Sequence, residues 1–225
     1  FLLQTSILDE LTPALCRAVT GQEDAARMLE TAFRRNLFIV QLDAVHGAYR
    51  YHGLFADFLL NELRRRFPEQ WNELQRRAAE AQRHEPERAM RHLLQAGLDE
   101  SAARLIEEAG DHLLRQGQLT TLAGWLDALP ADLRETRPSL LFLQGVSAFR
   151  RQEMDEARQL LERAQSGFEA TDYRLGILVG YLAEIASYQL DGPRTQELIE
   201  RALACSPPVE ERVRLIMTRI RSDYM

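Results

Sequence analysis

Leu2, Leu3, Ile7 and Leu8 open the chain at helical spacing, and Thr12 followed by Pro13 supplies the N-cap and first-turn proline of a second helix reaching about Val19. Gly21 breaks that helix. Ala25, Met28, Leu29, Ala32 and Phe33 form the apolar stripe of a third, ending near Asn36, a residue type that tolerates the left-handed conformation. The period then shortens to that of a strand: Leu37-Phe38-Ile39-Val40 is a β-branched and aromatic run, and residues 48–52 are a second, joined by a turn over residues 43–47. Helical spacing returns through Leu54, Phe55, Phe58, Leu59 and Leu63, until Arg64-Arg65-Arg66 and Pro68 mark an exit. Three short helices, a hairpin and a closing helix are the order of a winged-helix-type domain, assigned to residues 1–67.

From Pro68 to the last residue no strand pattern appears. Helical segments of roughly 12 to 18 residues follow one another, punctuated near Pro86, Gly97, Gly117, Pro130, Pro138, Asp172, Gly192 and Pro207-Pro208. The string Ala157, Leu161, Ala164 is echoed at an offset of 38 by Thr195, Ile199, Ala202, and earlier by Ala89, Leu93, Ala96. Residues 138–169 fit the tetratricopeptide pattern best, with Leu141, Gly145 and Ala148 on a first helix and Ala157, Leu161 and Ala164 on a second; Gly180 and Ala183 repeat the first set. Helix pairs of this kind bury their apolar faces only by stacking. The expected fold is therefore mainly α: a winged-helix-type domain with a short β-hairpin, then an α-α superhelix of tetratricopeptide-like repeats over residues 68–225.

On the first helices of the last two pairs, the face not used for stacking carries Phe142, Val146, Phe149 and Arg150, then Ile177, Tyr181, Glu184 and Tyr188. One reading is an aromatic-walled groove with charged groups that orient a small ligand or an extended peptide. The other is ordinary core, since aromatic residues at helical spacing usually pack.

Composition narrows the chemistry. All 28 basic residues are arginine, so a phosphate-loop lysine, a Schiff-base lysine and a Ser-Lys pair are excluded within the 225 residues. A net charge of −6 argues against general nucleic-acid binding, and the mixed-sign face of the third helix (Arg27, Arg34 and Arg35 among Glu23, Asp24 and Glu30) argues against DNA reading by the first domain. Cys16 and Cys205 stand alone, implying neither disulfide framework nor zinc site, and a reducing compartment. The chain begins at Phe1 with no secretory signal, reads as a piece of something longer, and has no apolar run long enough for a membrane span. Glu108 and His112 share a helical face but lack a third metal ligand, and no nucleophile elbow occurs. The expectation is a non-enzyme.

Three strings resemble a known family: Phe1-Leu2-Leu3-Gln4-Thr5-Ser6-Ile7-Leu8; Tyr49-Arg50-Tyr51-His52-Gly53-Leu54-Phe55-Ala56-Asp57-Phe58-Leu59; and Leu126-Asp127-Ala128-Leu129-Pro130 with Arg137-Pro138. They are similar to the middle of MalT-like, LuxR-family ATP-dependent transcriptional regulators of the STAND class. The resemblance implies a cytoplasmic regulatory fragment whose repeats sense an inducer. It implies as partners a nucleotide-binding domain of the same protein, a small-molecule inducer or protein effector, and further copies in self-association, with no membrane and no direct nucleic-acid contact. ATP or ADP is expected for the full-length protein, with no cofactor in this fragment. In related ATPases the histidine of a Met-His-Asp-like motif touches the ADP β-phosphate; His52 matches it, while Tyr51 and Gly53 depart from it. The alternative is a tetratricopeptide-like scaffold that binds a peptide or partner subunit.

Overall fold

The computed structural model describes residues 1–43, 47–169 and 172–223. The chain forms two compact units, Phe1–Ala102 and Ala103–Met225.

In the first unit, α1 (Leu2–Thr5), α2 (Pro13–Thr20) and α3 (Ala25–Arg34) precede the strands β1 (Ile39–Asp43) and β2 (Ala48–Tyr51), which are followed by α4 (Gly53–Arg66), α5 (Pro68–Ala81) and α6 (Pro86–Gln95). Thr12 caps α2 through its side chain, which accepts from the Leu15 N–H, as the Thr-Pro pair predicts. β1 and β2 pair antiparallel, with Ile39 opposite Tyr51, Val40 opposite Arg50 and Gln41 opposite Tyr49. An irregularity between Gln41 and Asp43 bulges the strand at Leu42. β1 begins at Ile39 rather than Leu37 because Asn36 and Phe38 both take positive φ, 51° and 52°, which turns the chain sharply before it extends. The connection expected over residues 43–47 falls partly on residues 44–46, outside the described residues.

The core of this unit joins Leu11, Val19, Leu29, Ile39, Tyr51 and Leu63 with Leu74 and Ala78 of α5. Apolar burial therefore continues past Pro68: α5 packs on α2 and α6, and the unit extends to Ala102. Arg77 of α5 donates to the Val19 carbonyl near the end of α2 at 3.3 Å, satisfying a last-turn carbonyl there. Trp71 donates from its indole to the Gln95 carbonyl and lies beneath the Arg64 guanidinium, 4.3 Å from the ring centroid.

The chain passes to the second unit within α7 (Asp99–Arg115) and continues through α8 (Leu119–Asp127), α9 (Ala131–Glu135), α10 (Pro138–Arg150), α11 (Met154–Gln165), α12 (Tyr173–Tyr188), α13 (Gly192–Ala204) and α14 (Val209–Asp223). Here the described residues are helices and short connections, and α10 packs most extensively on α11, α12 on α13. Ala157, Leu161 and Ala164 on α11 and Thr195, Ile199 and Ala202 on α13 are all essentially inaccessible to solvent. Trp125 of α8 is buried in the same unit. No helix among the described residues is long and apolar enough to cross a membrane.

The α10–α11 and α12–α13 turns are built alike. Gln152 and Leu190 each adopt the left-handed conformation (φ 67° and 61°), and the following N–H groups of Glu153 and Asp191 donate back to Ala148 and Ala186. A left-handed conformation costs a non-glycine residue about 1–2 kcal/mol, and the Leu190 side chain, 72% exposed, contributes little packing. Glycine's greater freedom in the unfolded chain offsets about 0.4–1 kcal/mol of the relief. Leu190→Gly should therefore stabilise slightly, raising the melting temperature by about 2 °C in a calorimetric scan.

Candidate functional site

The helical period brings Phe149 at the end of α10 against Tyr181 and Tyr188 on α12, with ring centroids 5.1 and 6.3 Å apart. Tyr181 and Tyr188 are seven residues apart, two turns along one face, and Glu184 lies between them. Two arginines of α14, again seven apart, cover that face: the Arg214 guanidinium lies 3.8 Å from the Tyr181 ring centroid, and that of Arg221 lies 5.0 Å from Tyr188. Close approach of the two helices depends on Gly180, where an added β-carbon would come within 3.2 Å of both Arg214 and Leu215.

Electrostatics tie the cluster together. Arg214 pairs with the buried Glu184 at 3.3 Å and with Glu211 at 2.5 Å, and reaches the Ile177 carbonyl at 3.5 Å. Burial raises the Glu184 carboxyl above the ordinary carboxylate range, while Arg214 and Arg221 pull it back. Despite these pairs, Nε of Arg214, Nη1 of Arg221 and Oγ of Ser187 are buried without a hydrogen-bond partner. Buried guanidinium donors left this way present N–H groups toward an acceptor.

The structure thus brings Phe149, Tyr181, Glu184 and Tyr188 together. Phe142 and Val146 are buried in the same unit, Phe142 edge-on to Phe168, and Ile177 is half-buried. Arg150 is exposed at the end of α10 with no ion pair among the described residues. Arg214 and Arg221 escaped sequence reasoning because each is an ordinary charged position of an amphipathic helix; their seven-residue spacing, matching that of the two tyrosines, is the signal that marks them.

His52, in the first unit, is the N-cap residue of α4. Its N–H donates to the Phe38 carbonyl at 2.7 Å, and its own carbonyl accepts from Phe55 and Ala56. The imidazole makes no capping bond and is exposed, the first turn of α4 carries no acidic residue, and a β-carbon on Gly53 would meet nothing within 4 Å. An open, uncapped helix N-terminus of this kind suits an anion. No group of three or more His, Cys, Asp or Glu among the described residues is placed to hold a metal ion.

Residues 1–71 match the family model of the MalT winged helix domain. Over 98% of its length the chain is 31% identical to the HTH-type transcriptional regulator MalT of Vibrio parahaemolyticus, and likewise 31% identical to that of Vibrio cholerae. Along its whole length it is 29% identical to the MalT of Cronobacter sakazakii. The chain spans about a quarter of the length of these relatives, 25% in each case. Residues 1–71 thus match the MalT winged helix domain, in a chain that resembles MalT regulators from end to end.

Proposed function

We propose that this chain is a regulatory segment of an ATP-dependent transcription regulator, in which the helical repeats sense an effector and the winged-helix domain relays its presence. The observation that carries the reading is the α10–α12–α14 cluster: two tyrosines under two arginines, a buried glutamate, and guanidinium N–H groups without acceptors. The half-exposed Tyr188 ring beside unsatisfied donors suits a small polar molecule that offers both C–H surface and oxygen acceptors. The segment recognises without transforming. Binding can shift a conformational balance only as far as its affinities for the two arrangements differ, so the effector's work lies in holding α14 against α12.

In the full-length protein ATP or ADP belongs to a nucleotide-binding domain outside these residues. His52 and the uncapped first turn of α4 are what this chain offers to a phosphate of that nucleotide, the imidazole and the Gly53 and Leu54 N–H groups supplying donors to its charge. The chain alone holds no phosphate loop of its own.

A thermal-shift screen of small polar metabolites, oligosaccharides and sugar phosphates included, tests the sensor. A ligand at 100 times its dissociation constant adds about 2.7 kcal/mol to stability. The expected result is at least one hit whose shift disappears in both Tyr188→Ala and Arg221→Met. A screen without hits, or hits indifferent to both substitutions, would overturn the assignment of this cluster.

A further inference from the structure

The α10–α11 and α12–α13 pairs each border a cleft at the same place, beside the helix that precedes them. In the earlier one, Gln144, Ser147, Arg151 and Glu156 line the cleft together with Asp127 of α8. Their equivalents 38 residues on, Leu182, Ile185, Gln189 and Arg194, line the later cleft together with Arg158 and Glu162 of α11. The earlier cleft fills itself. Arg151 donates to Oγ of Ser147 at 2.8 Å and pairs with Glu153 at 2.6 Å, Asp127 takes Arg134 at 3.3 Å, and only about 70 Å³ remains.

The later cleft does not. Ile185 and Leu182 stand where the earlier one has a serine and a glutamine, so neither offers an acceptor to a guanidinium, and the uncharged Gln189 stands where Arg151 did. About 170 Å³ stays open. Leu182, Ile185 and Leu198 are buried and form an apolar floor. Above it the lining is charged. Arg158 is half-buried, with Nη2 3.5 Å from Asp155 and Nε buried without a hydrogen-bond partner. Glu162 is exposed and has no ion pair among the described residues. Asp191 uses one carboxyl oxygen to cap α13, accepting from the Arg194 N–H at 3.1 Å, while the Arg194 guanidinium is taken by Glu197 at 2.8 Å. One weakly held cation and two carboxylates therefore share the opening.

We propose that the α11–α12–α13 cleft binds a free aliphatic α-amino acid, whose carboxylate accepts from Arg158, whose ammonium donates to Glu162 and Asp191, and whose side chain lies on Leu182, Ile185 and Leu198. Charge selects the class. An anion alone would meet two carboxylates and a cation alone would meet Arg158, so only a ligand that carries both signs is matched. Size agrees: the space is that of a few waters at about 30 Å³ each and falls below the roughly 300 Å³ at which pockets for drug-sized ligands begin. The apolar floor favours an aliphatic side chain over a polar one. Leu182, Ile185 and Gln189 lie on a different face of α12 from Tyr181, Glu184 and Tyr188, so this site is separate from the α10–α12–α14 cluster and does not depend on it.

Titration calorimetry of the 225-residue chain with leucine should show saturable binding at one site. N-acetylleucine and leucinamide, each lacking one of the two charges, should bind at least about tenfold more weakly, as should glycine, which leaves the floor bare. Arg158→Met keeps the aliphatic stem and removes the guanidinium, so leucine affinity should fall at least about tenfold while the melting temperature stays near that of the parent chain. Gln189→Arg places a guanidinium two residues before Asp191, as Arg151 stands before Glu153, and should close the cleft in the way the earlier one is closed. Tyr188→Ala should leave leucine binding unchanged. No saturable heat at millimolar leucine, equal binding of N-acetylleucine, indifference to Arg158→Met, or loss in Tyr188→Ala would each overturn the proposal.

Discussion

Gly145→Val should destabilise the second unit by about 3 kcal/mol, the upper part of the range for overpacking a filled core. A β-carbon at Gly145 would lie 2.7 Å from Cγ and 2.9 Å from Cδ2 of Leu161, with the Leu161 backbone nitrogen only 3.3 Å away. The side chain cannot yield easily, because Leu161 is fully buried on α11, and the backbone behind it limits how far the helices can part. Leu161→Ala should cost about 2–5 kcal/mol on its own through the cavity it leaves. The informative variant is the double one. If Leu161 is what the new methyl groups strike, Gly145→Val in the Leu161→Ala background should cost at least about 1 kcal/mol less than in the parent. Urea unfolding followed by circular dichroism measures all three, and strictly additive losses would show that the α10–α11 approach is not what Gly145 provides.

Acidification should weaken the first unit through His92. This side chain is buried on α6 between two glutamines of the α5 region, with Nδ1 2.5 Å from Oε1 of Gln75 and Nε2 2.9 Å from the Gln82 amide. Gln75 is itself oriented by donating to Gln95 at 3.1 Å, so its oxygen takes the Nδ1 proton, and Nε2 is left as an acceptor that a turned Gln82 amide can serve through its NH2. The ring is thus satisfied while neutral. Burial lowers its pKa to about 4; the neighbouring Asp9 carboxylate opposes this and Arg91 adds to it. In the unfolded chain the same imidazole titrates near 6.5. The unfolded state therefore binds the extra proton between these values, and the contribution of neutral His92 is complete above about pH 6.5, declines as pH falls, and is gone below about 4. Two and a half units correspond to a ceiling of about 3 kcal/mol. Denaturant midpoints measured across this window should fall with pH in the parent and fall much less in His92→Gln. An unchanged slope in the variant would mean that other groups carry the acid sensitivity.

These two residues also mark the limits of what the sequence discloses. Gly145 is legible: a small residue at a fixed offset from Ala148, repeated at Gly180 and Ala183, implies close helix approach before any coordinates are seen. The same holds for the Thr12-Pro13 cap and for the hairpin, whose period differs from everything around it. His92 has no such signal, because its partners Gln75, Gln82 and Gln95 sit on polar positions that any exposed helix would show. The α10–α12 half of the candidate site follows from spacing alone, since Phe149, Tyr181, Glu184 and Tyr188 share faces that the 3.6-residue period fixes. Its α14 half does not, because which helix lies over those tyrosines is decided by packing between distant segments. The α11–α12–α13 cleft was hidden for a different reason. A sequence shows that the two helix pairs repeat, but only the contacts of Arg151 with Ser147 and Glu153 show which of the two clefts is already filled.

Each unit carries a single indole, Trp71 on α5 and Trp125 on α8. Trp71→Phe and Trp125→Phe would therefore give two chains whose intrinsic emission reports one half apiece, free of any attached dye. Because Arg64 covers one ring and the other lies in the interior, the two emitters begin in different surroundings. Their separate melting curves would reveal directly whether the halves come apart in one cooperative step or in succession.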